Sequence, residues 1–159
     1  MIEAMERRRS IRAYQDKPVP RRMLEEILQA GILAPSSKNR QPWRFVVVTG
    51  QAKAEMLAAM KRGLEQERNA PLLPNSQEYL PGAERTWQIM GQAPAVIFVL
   101  NTLGQNLARP LNLEDRVAEL CNVQSIGAAM ENMTLAAADL GLGSLWICDL
   151  FFAYRELSA

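Results

Sequence analysis

The pattern along the chain predicts a mixed domain, α+β or α/β, with more helix than strand. Three observations carry this. Two short runs rich in β-branched and aromatic residues, Phe45-Val46-Val47-Val48 and Val96-Ile97-Phe98-Val99-Leu100, are too short for core helices and read as buried strands. Around them, apolar residues recur at helical spacing, as in Met23, Leu24, Ile27, Leu28 and Gly31, with Glu25, Glu26 and Gln29 opposite. From Glu114 to Leu140 the helical pattern continues without a proline.

In order, residues 2–9 read as a short helix with Ile2 and Met5 on one side, and 21–33 as an amphipathic helix ending at Pro35. A polar loop, Ala34 to Trp43, leads into a strand over 44–49. Residues 52–68 form a helix with Met56, Leu57, Met60 and Leu64 inward and charges outward, Glu65 and Glu67 among them. The prolines at 71, 74 and 81 predict a surface loop over 69–82, before a helix over 83–92 and a strand over 94–100. A loop over 101–113 precedes the helix of 114–140. The small residues Ser125-Ile126-Gly127-Ala128-Ala129 in that helix suggest close backbone approach, either in the core or on a partner subunit. Gly141 supplies a left-handed stop. A third strand is expected over 143–148, and a helix begins at 153. Met56, Met60, Met130 and Met133 read as core filler.

Composition narrows the chemistry. With 159 residues, 48% apolar and 22% charged, the chain is long enough for one domain with a real core. No run reaches bilayer length, and the acidic start Met1-Ile2-Glu3-Ala4-Met5-Glu6 lacks a signal-peptide core, so a cytoplasmic location is expected. Cys121 and Cys148 lie in apolar segments, have no metal-type spacing and are expected as buried free thiols. Histidine is absent, which excludes Ser-His-Asp and Cys-His machinery and histidine metal sites. No metal is expected, and in an enzyme a bound cofactor would carry the chemistry. A net charge of +1 gives no reason to expect nucleic acid.

The neutral total hides a local excess. Residues 1–22 hold seven Lys and Arg against three Asp and Glu. Within them, Arg8, Arg9, Ser10 and Arg12 form a compact set suited to phosphate, since guanidinium forks match phosphate oxygens and a hydroxyl adds a donor. A solvated basic face would contain the same residues. The loop Ala34-Pro35-Ser36-Ser37-Lys38-Asn39-Arg40-Gln41-Pro42-Trp43 offers Ser, Asn and Gln groups between rigid elements, as small-molecule sites do, and as ordinary connections also do. Gly141-Leu142-Gly143 follows a helix and enters an extended run, the reverse of Rossmann order, and lacks the third glycine. Asp149 lies at the end of the expected third strand, a place where functional acids and ordinary ones both occur.

Taken together, three stretches resemble the nitroreductase family of FMN-dependent oxidoreductases. They are Arg8-Arg9-Ser10-Ile11-Arg12, the loop from Ala34 to Trp43, and Leu140-Gly141-Leu142-Gly143-Ser144-Leu145-Trp146-Ile147. Ala93-Pro94-Ala95-Val96 resembles the strand entry seen there. The resemblance implies an α+β fold around a mixed central sheet flanked by helices, with the long helix around Gly127 forming an obligate homodimer. It implies one FMN in each of two interface sites. Arg8, Arg9, Ser10 and Arg12 would hold the phosphate and ribityl chain, and Pro35, Ser36, Ser37 and Asn39 would reach the flavin of the partner subunit. Main chain near Ile147, Cys148 and Asp149 would lie at the flavin edge that takes the hydride.

Two departures stand out. Family members usually continue into a further strand and a C-terminal arm, so 1–159 is expected to be a single FMN-binding domain without them. At Cys148-Asp149 many relatives carry glycine. The implied chemistry is transfer of hydride from NADH or NADPH through FMN to a nitroaromatic or quinone, in ping-pong order. Reductive dehalogenation or flavin fragmentation on the same scaffold, and a non-catalytic flavin sensor or carrier, are the alternatives.

Overall fold

The computed structural model describes residues 2–106 and 109–158. Two positions of the loop expected over 101–113, and the terminal Ala159, lie outside the described residues. The chain forms two compact units. The first takes Met1–Ser10, Val19–Val47 and Ile97–Ser144, and the second takes Ile11–Pro18, Val48–Val96 and Leu145–Ala159.

The first unit holds α1 (Glu3–Arg7), α2 (Arg21–Ile32), the long α5 (Leu113–Asp139) and all but one residue of each of two strands, β1 (Trp43–Val48) and β2 (Val96–Asn101). The strands pair antiparallel, with the Thr102 N–H donating to the Pro42 carbonyl at 2.9 Å at the open end of the ladder. The α2 stripe packs on α5: Ile27, Met133 and Ala137 are buried together, with Leu28, Phe45, Ile97 and Val99 against them. Burying one such large side chain is worth about 1.5–3 kcal/mol. The pairs Arg21–Glu25 and Arg22–Glu26 on α2 are solvent-exposed and screened, and add little. The stripe, not the charges, therefore holds α2. Gly31 makes the close approach possible, since a Cβ there would stand 2.9 Å from Met133 Cγ and from Phe45 Cζ. Gly141, at φ +75°, ends α5 in a Schellman motif, with Leu142 N–H on the Ala137 carbonyl and Gly141 N–H on the Ala138 carbonyl.

The second unit is built from α3 (Gly50–Asn69), α4 (Ser76–Gln92) and α6 (Tyr154–Ser158), the last preceded by a 3-10 turn over Asp149–Ala153. Met56, Met60 and Leu64 of α3 and Leu80, Ala83 and Met90 of α4 are buried. The Trp87 indole donates to the Leu57 carbonyl at 2.9 Å. Lys53 Nζ donates to the carbonyls of Gly91 and Ala93, satisfying orphan acceptors where α4 ends. Gly63 has no room for a side chain, because a Cβ there would overlap the backbone and Cβ of Ala153.

Four expectations change. The helix expected over 83–92 begins at Ser76, with Pro81 inside it. The apolar stripe of Leu80, Ala83, Trp87 and Met90 continues upstream of the proline, and its burial outweighs the roughly 3 kcal/mol cost of an interior proline. The third strand over 143–148 is absent. Among the described residues its one ladder contact is a parallel bridge from Ser144 to Ser10, and Trp146 and Cys148 are exposed. A β-prone run becomes a strand only where a neighbour supplies the ladder. Residues of β1 and β2 are half-buried or exposed, so the strands are not enclosed on both faces as expected: the elements packed on them cover the side chains only in part.

Glu67 is the fourth change. Instead of sitting on a solvated face it is 5% exposed, and its two carboxylate oxygens accept the N–H groups of Leu72 and Leu73 at 2.9 Å each. Burial alone would push this carboxyl up. The two backbone donors, with the Ser76 hydroxyl and Arg155 nearby, outweigh that and leave its pKa below the ordinary value of 4.5. Among the described residues, no helix is long and apolar enough to cross a membrane.

A group lowered on folding contributes stability that is fully present above its unfolded pKa and disappears as pH falls through its folded pKa. Glu67→Gln should therefore unfold more easily than the wild type at neutral pH. The gap in denaturant midpoint should stay constant down to about pH 5 and then shrink on acidification. Urea titrations across that range check it.

Candidate functional site

The loop between α2 and β1 is the most constrained polar stretch of the first unit. A 3-10 turn spans Ser37–Asn39, and three non-glycine residues lie at positive φ: Lys38 at 52°, Asn39 at 52° and Gln41 at 47°. Such residues are uncommon, and clusters of them persist where surrounding contacts over-determine the backbone. Two serine hydroxyls supply those contacts. Ser36 Oγ accepts the Gln41 N–H at 2.9 Å, closing the loop on itself. Ser37 N–H donates to Ser125 Oγ at 3.0 Å, and the Ser125 hydroxyl donates in turn to the Cys121 carbonyl at 2.7 Å. Pro35 and Asn39 are exposed, and Ser36 and Ser37 are half-buried.

Ser125 is the residue that sequence reasoning missed. As sequence, the small-residue stretch of the long helix points only to close backbone approach. A serine inside a helix can bond back to the carbonyl four residues earlier and still accept from elsewhere. Ser125 does both while 5% exposed.

The arginine run leaves α1 in the same unit. Arg7 is anchored, donating to the Ala138 carbonyl near the end of α5 at 2.5 Å. Arg8 Nε lies 3.9 Å from Glu131 Oε1, both side chains partly exposed. A pair so placed contributes under about 1 kcal/mol, so the Arg8 guanidinium is available to a stronger anion. Arg9 donates to the carbonyls of Glu6 and Arg8 at 2.6 and 2.8 Å, turning back on its own backbone. Ser10 meets Ser144 in the parallel bridge, which joins the arginine run to the turn after α5.

The other expected residues fall in the second unit. Arg12 lies near Tyr14, whose hydroxyl donates to the Ile11 carbonyl at 2.9 Å. Burial pushes the Tyr14 phenol up, and the Arg12 charge partly opposes that. Ile147 is half-buried, and Asp149 opens the 3-10 turn; Cys148 is a free thiol but exposed, not buried as expected, because the run around it forms no buried strand. Asp149 Oδ2 accepts from the Thr86 hydroxyl of α4 at 2.5 Å. Among the described residues, no cluster of His, Cys, Asp and Glu could hold a metal ion.

The Nitroreductase family model matches residues 5–158. A protein of Archaeoglobus fulgidus named "Putative NADH dehydrogenase/NAD(P)H nitroreductase" is 36% identical over 140 residues, covering 88% of this chain and 62% of that protein. A protein of the same name from Methanothermobacter thermautotrophicus is 30% identical over 146 residues, covering 92% of this chain and 59% of its own. The chain thus spans about three-fifths of these relatives' length. A crystal structure from Desulfovibrio desulfuricans, described as a "putative nitroreductase in complex with FMN", superposes with a TM-score of 0.68 at 29% identity, over 98% of this chain and 72% of that one.

Removing the Ser125 hydroxyl leaves the Ser37 amide without its acceptor, a loss of about 1–3 kcal/mol. Ser125→Ala is expected to lower stability by that order and to speed hydrogen exchange at the Ser37 amide at least tenfold. Mass-spectrometric or NMR exchange reads it directly; an unchanged Ser37 rate would contradict the anchoring role.

Proposed function

Because the chain belongs to the Nitroreductase family, we propose that it binds FMN and acts as an NAD(P)H-dependent oxidoreductase. The observation that supports this most is the loop over 35–41. Backbone held left-handed at three exposed non-glycine positions, and pinned by two serine hydroxyls, is a preorganised polar surface rather than a relaxed connection.

The donor chemistry suits the cofactor. In the first unit, Arg8, Arg9 and Ser10 provide guanidinium and hydroxyl donors for the phosphate and ribityl chain, Arg8 exchanging its loose Glu131 contact for a phosphate oxygen. Pro35, Ser36, Ser37 and Asn39 present loop atoms to the flavin of a partner subunit. In the second unit, Arg12 is assigned to the phosphate, and the main chain of Ile147, Cys148 and Asp149 to the flavin edge. When bound, FMN supplies the two-electron chemistry, accepting hydride from NADH or NADPH and passing electrons to an acceptor such as a nitroaromatic or quinone in ping-pong order. The protein binds, orients and excludes competing acceptors; it needs no histidine and no nucleophile.

A homodimer belongs to the same proposal. On the N-terminal half of α5, Leu113, Val117, Leu120 and Val123 are all more than half exposed. Residues at i, i+4, i+7 and i+10 share one helix face, and an exposed apolar stripe of that kind is suited to a second copy of the same helix.

The test combines spectrum and titration. Purified protein should show the visible absorbance of bound flavin or acquire it on adding FMN. NAD(P)H oxidation with a nitroaromatic or quinone acceptor should then follow. Arg8→Ala with Arg12→Ala should weaken FMN binding about 10-fold or more, since each removes a charge-assisted contact. Unchanged affinity would refute the phosphate assignment, and bound flavin that NAD(P)H cannot reduce would favour a flavin carrier or sensor instead.

A further inference from the structure

Among the described residues of the second unit, the run from Leu145 to Cys148 has no strand partner, yet it leads into Asp149 and carries residues proposed for the flavin edge. Something other than a ladder must fix it. The side-chain contact at its end is the hydrogen bond from Thr86 Oγ1 to Asp149 Oδ2. We infer that Thr86 is a positioning residue, holding the Ile147–Asp149 segment in place for the flavin; the role rests on the FMN binding proposed above.

Thr86 is well placed to do this. It belongs to α4, whose Leu80, Ala83 and Met90 are buried and whose neighbouring Trp87 is tied to Leu57 of α3. A threonine on a packed helix has few χ1 states, so its hydroxyl is a fixed donor. Threonine hydroxyls in helices commonly bond back to their own helix. Here the hydroxyl reaches a carboxylate instead, and a donor to an ionised acceptor makes a stronger bond than a neutral pair. Asp149 is also the first residue of the 3-10 turn, so fixing its side chain fixes the point where the segment turns. Asp149 thus has a structural role in this chain. It gives a segment without ladder bonds a side-chain anchor.

Cys148, exposed and adjacent, reports on the segment without any flavin. Thr86→Val removes the donor while keeping the branched shape, and Thr86→Ser keeps the donor. Two quantities are read for each: the rate at which Cys148 reacts with a small thiol reagent, followed by mass spectrometry of its peptide, and the affinity for FMN. Thr86→Val should raise the Cys148 rate and weaken FMN binding, each about 3- to 10-fold, the size expected for one lost hydrogen bond. Thr86→Ser should stay within about twofold of wild type in both. In an Asp149→Ala background, Thr86→Val should have no further effect. Wild-type-like behaviour of Thr86→Val, or equal effects with and without Asp149, would overturn the inference while leaving FMN binding intact. A wild-type protein that takes up no FMN would instead overturn the proposed function, and the positioning role with it.

Discussion

The left-handed backbone at Lys38, Asn39 and Gln41 persists because hydrogen bonds and packing clamp the loop from both sides. Each such residue costs of the order of 1 kcal/mol, about what one hydrogen bond returns on balance. The two serine bonds therefore cannot hold three strained residues alone. The remainder comes from the elements at the loop's ends: α2 on one side and β1 on the other, both seated on α5 through Ile27, Phe45 and Met133. Ser125 lies on that same helix. Loop geometry is thus slaved to the core, which is what a binding loop needs if it is to be rigid before its ligand arrives.

α5 has several tasks in one element. Its buried side carries the core and the serine that pins the loop, and its Glu131 touches Arg8. Its C-terminal carbonyl at Ala138 anchors Arg7, at the base of the arginine run. The exposed apolar stripe lies in its first half. A helix with apolar residues around most of its circumference has no single solvent face, which fits an element covered on more than one side. The second unit reaches its rigidity differently, through helix pairing, the Lys53 cap on α4 and the carboxylate of Glu67 gathering the turn after α3.

Periodicity revealed most of the fold. The helices around Ile27, Met60 and Met133, the two strands and the Gly141 stop were all legible, because apolar spacing and a left-handed glycine are local signals. What was illegible depended on neighbours. Pro81 reads as a breaker, and only the burial of Leu80 and Ala83 shows that the helix absorbs it. The run of 143–148 has strand composition, but a ladder needs a partner, and composition does not name one. Glu67 looks like any surface acid until the turn delivers two N–H groups to it. The candidate residues were legible as chemistry, phosphate-type donors and a polar loop. Their anchors, Ser125 and Thr86, were not, since each acts through a contact across tens of residues of sequence.

The central claim is that this chain carries FMN and that nicotinamide reduces it. An anaerobic titration of the FMN-loaded protein with NADH and, separately, NADPH tests this most directly. The account predicts that the visible flavin absorbance is lost as one of the two is added, with one equivalent of nicotinamide consumed per flavin, and returns when a quinone or nitroaromatic is introduced. Flavin absorbance that persists through an excess of both reductants would contradict it.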